Sequence, residues 1–151
     1  MSFPHPIQGD SKRVGFRENG ARTALALSLF AGGGDLATGL CLLFAPAWTL
    51  ARMGVASVPE VSWVRFVGVF VAAVGAGYFY GLFCWMAGRR AGCLRTVWEL
   101  TALLRTAVCV FVAAEIAGGQ MEGAWISVSL TDGFWALAQF LLLWRSFPSD
   151  A

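Results

Sequence analysis

Four long apolar runs, separated by short polar stretches, limit this chain to very few folds. They cover about Thr23–Leu43, Val61–Trp85, Leu94–Ala117 and Ala124–Trp144. Each is long enough to cross a ~30 Å hydrocarbon core at a rise of ~1.5 Å per residue. Lipid offers no hydrogen-bond partner to an open strand edge, so each run is read as a helix. The short connections predict an all-α, up-down bundle of four transmembrane helices. Composition agrees, with 58% hydrophobic and 13% charged residues, against ~45–50% and ~25% in soluble domains. The expected organisation is a polar arm over 1–22, one transmembrane domain over 23–145 and a tail over 146–151. The first run outlasts the apolar stretch of a secretory signal, so it is expected to stay as a span. A net charge of +2 is too small and too segregated along the chain to indicate nucleic acid.

Basic residues are unevenly distributed. Lys12, Arg13, Arg17, Arg22, Arg89, Arg90, Arg95 and Arg145 fall in the arm, the second loop and the tail. The first loop holds Arg52, Arg65 lies just inside the second span, and the third loop has no basic residue. The positive-inside rule then places both termini in the cytoplasm. Trp48, Trp63, Trp85, Trp98, Trp125 and Trp144 lie near span ends, where an amphipathic ring favours the headgroup region. Trp135 alone sits well inside a span.

Membrane helices associate through small residues and polar contacts, because lipid removes the hydrophobic drive between them. The first span has such a face in Ser28, Gly32, Asp35, Thr38 and Gly39. The second offers Arg65, Gly68, Ala72, Gly75 and Phe79; the third Trp98, Thr101, Arg105, Val108, Val112 and Glu115. The fourth offers Trp125, Ser129, Asp132, Trp135, Ala136 and Gln139. The alternating three- and four-residue spacing is that of left-handed helix packing. Gly77 and Gly81 form a GxxxG on another face of the second span, which is expected to serve helix packing or to meet a partner. The repeated Val-Phe-Val-Ala-Ala at Val69–Ala73 and Val110–Ala114 is short enough to arise by chance.

The charges inside the spans are the main functional clue. An acid or arginine at mid-membrane costs about 2.5–3.5 kcal/mol on insertion scales, so such residues face inward and pair. Arg65 and Glu115 both lie about one turn below the same membrane edge, and a structural ion pair between them is expected. Asp35 and Asp132 lie deeper and at matching depth. Two carboxylates cannot both ionise easily in a low dielectric, and Arg105 is the nearest cation. Asp35, Arg105 and Asp132, with Trp135 and Gln139 beside them, are therefore expected to form a buried polar cluster or ligand pocket. Glu99 follows Arg95 by four residues and reads as a surface helix pair.

Other chemistries find no support. The only histidine, His5, is in the arm, so no span supplies an imidazole to haem or a transition metal. No metal site, cofactor or catalytic triad is expected. Cys41, Cys84, Cys93 and Cys109 form no CxxC pair and read as small buried hydrophobes.

The stretch Gly39-Leu40-Cys41-Leu42-Leu43-Phe44-Ala45-Pro46 runs to Met53-Gly54. It leads to Trp63-Val64-Arg65-Phe66-Val67-Gly68 and then Gly75-Ala76-Gly77-Tyr78. This pattern resembles the small four-span bacterial membrane proteins grouped as DoxX-like. In those, a proline follows the first helix, Arg-x-x-Gly opens the second and an aspartate, here Asp132, lies in the last. The resemblance implies four helices in a bacterial inner membrane and assigns no catalytic residue. The family is functionally mixed and includes partners of oxidoreductases.

Small size and short loops make an accessory or assembly subunit of a larger membrane complex the leading expectation. Its partners would be membrane lipids and another membrane protein or a second copy. The alternative is a bundle that binds or transforms a lipophilic molecule, lipid or quinone-like, at the acidic cluster, or transports with protons.

Overall fold

The structure is a computed structural model that describes residues 10–56, 60–88 and 92–145, with side chains from residue 22 onward. It is all-helical among the described residues. Four helices are long and apolar enough to span a membrane: α1 (Asp10–Phe44), α3 (Val61–Met86), α4 (Cys93–Ala117) and α5 (Ile126–Trp144). This is the expected four-span bundle of an integral membrane protein. The spanning part of α1 begins at Arg22. Helix α1 itself starts at Asp10, so part of the polar arm prolongs the first span.

A fifth helix, α2 (Pro46–Met53), stands where the sequence was read only as a turn. Proline at the first helical position is preset for helix and lacks only an N–H that would be unused. Thr49 Oγ1 donates to Ala45 O at 2.9 Å. Gly54 ends the helix with φ 78°, a left-handed conformation that glycine adopts without strain. Leu50, fully buried, joins Leu42, Val55 and Val64 in a cluster that Met53, Ala124 and Trp125 flank. This cluster closes the end of the bundle opposite the termini. A hydrogen bond from Ala56 N to Glu122 Oε2 at 2.9 Å ties that end's two connections together.

The long helices pack closely as α1–α3, α4–α5 and α3–α4. The first contact is backbone on backbone. A Cβ on Gly39 would strike Ala72 backbone and lie 2.7 Å from Gly68 O; one on Gly75 would lie 2.7 Å from Gly32 O. Gly32 and Gly39 on α1 thus interlock with Gly68 and Gly75 on α3, the glycines on each helix being seven residues apart. Dispersion and interhelical approach of this kind hold membrane helices together. A second core cluster, nearer the termini, contains Ala24, Leu27, Ala31, Tyr78, Leu82, Leu94 and Trp98. The outer surface presents Phe30, Phe66, Phe70, Leu103, Phe111 and Leu137, as a lipid-facing bundle requires.

The packing makes two readings more specific. Trp98, placed near a span end and on the inward face of the third span, is 0% exposed, and its indole N–H donates to Ser28 Oγ at 3.0 Å inside the bundle. Gly81 takes the helix-packing role of the two expected for its face. It is buried against Val97 and Leu94 of α4, where its missing side chain lets α3 and α4 approach. Gly77 has nothing within 4 Å of the position a Cβ would take, so the two glycines serve different surroundings.

Candidate functional site

The interior is organised around Arg105. It lies on α4 with only 4% of its side-chain surface exposed. Its guanidinium donates from Nη2 to Asp35 Oδ2 of α1 at 2.5 Å and from Nη1 to Asp132 Oδ1 of α5 at 2.6 Å. Nε reaches the Tyr78 hydroxyl of α3 at 3.4 Å, and the guanidinium carbon sits 6.0 Å from the Tyr78 ring centroid. One side chain therefore touches all three other spans. A planar fork with five donors suits this task; an ammonium would not present them in fixed directions.

A second polar layer lies seven residues along each of three helices. Asp35 has Ser28 below it on α1, Arg105 has Trp98 on α4, and Asp132 has Gln139 on α5. Seven residues return a helix to nearly the same face about 10 Å along its axis. Gln139 is 0% exposed; its Nε2 donates to Tyr78 Oη at 2.7 Å and to Thr101 Oγ1 at 2.9 Å. Thr101 in turn donates to Val97 O at 2.8 Å. Tyr78 thus links the two layers, receiving Arg105 from one and Gln139 from the other.

The residues named from the sequence are distributed as follows. Asp35, Arg105 and Asp132 meet directly, although α1 and α5 are not a close helix pair; Arg105 of α4 bridges them. Gln139 joins through Tyr78. Trp135 is half-buried, packs on the cluster that contains Trp98 and stacks edge-on with Phe134. Sequence reasoning overlooked Tyr78, whose hydroxyl joins the layers. Its only signal was position: it lies one turn beyond Gly75 on the face that meets α1.

The expected Arg65–Glu115 ion pair does not form. The described residues hold ion pairs at Arg105 and between Arg95 and Glu99 (2.8 Å), the latter the exposed i,i+4 pair read from the sequence. Helix α3 spends its inner face on Val64 and Gly68 against α1, which leaves Arg65 exposed. Glu115 stays half-buried on α4. The four cysteines form no disulfide; Cys84 is buried and the other three are half-buried. No group of three His, Cys, Asp or Glu among the described residues is placed to hold a metal ion.

Fold and site together define a four-span integral membrane protein with a two-layer polar core centred on a doubly paired arginine. Comparison with family models, curated proteins and solved structures yields no match for this chain.

Proposed function

We propose that the protein is a small accessory or assembly subunit of a larger membrane complex. Arg65 carries this reading. It lies one turn inside α3, is exposed, and has no ion-pair or hydrogen-bond partner among the described residues. Arg105, by contrast, is paired inside the bundle with Asp35 and Asp132. An outward arginine one turn inside a span either snorkels to the headgroups or pairs with an anion, and we take that anion to be a carboxylate on a neighbouring membrane helix. The similarity to DoxX-like proteins and the basic bias of the arm support a bacterial inner membrane with both termini cytoplasmic; Arg89 and Arg90, part of that bias, lie outside the described residues.

The test is photocrosslinking in cells from a reactive residue at position 66, beside Arg65, with position 111 on α4 as the lipid-facing control. A discrete protein adduct at 66, absent at 111 and lost in Arg65→Glu, is the expected result. Adducts with lipid alone at both positions would sink the proposal.

A second reading, binding of a lipophilic molecule, draws on one observation. Asp35 and Asp132 each keep 18% of their side-chain surface exposed while the guanidinium between them is closed off. Thermal stabilisation by a quinone-like compound or lipid, lost in Asp35→Asn, would favour it over the first.

A further inference from the structure

The Asp35–Arg105–Asp132 cluster sets two carboxylates against one guanidinium. With both carboxylates ionised it carries one net negative charge. The titratable groups facing it are few. Helix α3 contributes Tyr78. Helix α4 contributes Arg105 and, one turn on, Cys109, whose Sγ lies 3.5 Å from Ser129 Oγ. Helices α1 and α5 contribute the aspartates themselves. None supplies a second positive charge.

An independent observation comes from the layer below. Gln139 is fully buried, and its Oε1 is the one buried side-chain polar atom without a hydrogen-bond partner among the described residues. Its amide nitrogen donates to the same Tyr78 oxygen that receives Arg105. The polar core therefore has an acceptor left over as well as a negative charge left over. The amide oxygen calls only for a neutral donor, whereas the two carboxylates against one guanidinium call for a positive charge.

We propose that the cluster is a binding site for one proton, shared between Asp35 and Asp132 and exchanged with the aqueous phase. The step forms one O–H bond on a carboxylate oxygen and breaks one O–H bond of an aqueous hydronium ion, which leaves as water. The carboxylates, rather than Arg105, are the accessible groups, since each is 18% exposed and the arginine 4%. Protonation leaves a neutral cluster: one ion pair and one carboxylic acid, whose O–H is a new donor. A low-dielectric interior favours the neutral arrangement over the charged one. A small monovalent metal cation would satisfy the same charge and is the competing occupant.

The experiment uses the full chain in detergent micelles with isotope-labelled aspartate. Infrared spectra at neutral pH are expected to show one protonated aspartate carboxyl per chain. Asp35→Asn and Asp132→Asn should each remove it, because either leaves one acid balanced by Arg105. The native chain then holds one proton that the unfolded chain releases at neutral pH. Stability should fall as pH rises, by about tenfold in the folding equilibrium per pH unit, and both variants should flatten this dependence. Absence of a protonated carboxyl in the wild type overturns the proposal. So does a rise in unfolding midpoint with sodium at fixed pH that either asparagine variant abolishes, which would assign the site to a metal cation. If the variants fail to fold, the wild-type band decides alone.

Discussion

Replacing Arg105 with leucine removes a side chain that touches all three other spans. The change strands Asp35 and Asp132 and withdraws one of the two donors to Tyr78. Removing one partner of a buried ion pair costs about 3–5 kcal/mol, chiefly because a charge is left uncompensated. Two carboxylates are stranded here, but each escapes part of the penalty by taking up a proton. A loss of about 3–5 kcal/mol is therefore expected, against a total stability of roughly 5–15 kcal/mol for a typical domain. Arg105→Lys keeps the charge but not the fork, and should lose about 1–3 kcal/mol through its missing charge-assisted hydrogen bonds. The informative variant is the triple Asp35→Asn, Asp132→Asn, Arg105→Leu. Replacing a whole buried ion cluster with well-packed hydrophobic residues is often neutral or stabilising; the asparagines here stay polar but remove the stranded charges, so the triple should recover part of what the single change loses. Equilibrium unfolding in micelles, followed by tryptophan fluorescence, measures all three, since Trp98 is fully buried in the adjacent layer. An Arg105→Leu protein within about 0.5 kcal/mol of wild type, inside the range of an ordinary surface change, would refute the reasoning. A triple variant no better than the single would refute it as well.

Three further outcomes follow from the packing. Gly39→Ala and Gly75→Ala each push a Cβ into the facing backbone and should lose about 1–3 kcal/mol by overpacking, seen as a lower unfolding midpoint. Trp98→Phe removes the donor to Ser28 and should cost about 0.5–1.5 kcal/mol; an unchanged midpoint would mean that the bond carries no net stability. Gly81→Leu should separate α3 from α4 and lower stability, whereas Gly77→Leu, with open space around it, should leave the unfolding curve unaltered.

The choice between a structural and a functional role for the polar core turns on its composition. One aspartate and one arginine fasten two helices, and the second aspartate brings in a third. The second aspartate adds negative charge where lipid makes it most costly. The accessory role concerns the surface around Arg65 and the proton site concerns the interior, so either can stand without the other.

The sequence by itself determined the spans, because hydrocarbon thickness and the need to satisfy every backbone group leave a run of twenty apolar residues no other form. It also determined the inner faces carrying Gly32, Gly39, Gly68 and Gly75, since small residues at helical spacing are visible without coordinates. Depth along each helix was legible by counting, which is why Asp35, Arg105 and Asp132 could be grouped before any contact was known. Rotation of one helix about its axis was not legible. Arg65 lies only three residues from Gly68, yet close α1–α3 packing turns it outward and away from Glu115. Sequence placed Trp98 near a span end and on an inward face, but did not show that Ser28 waits opposite its N–H. Tyr78 and Gln139 became partners only when three helices converged on one point. Lipid rewards apolar length one span at a time, and this is written locally. Hydrogen bonds between spans depend on azimuth and separation, which only the assembled bundle decides.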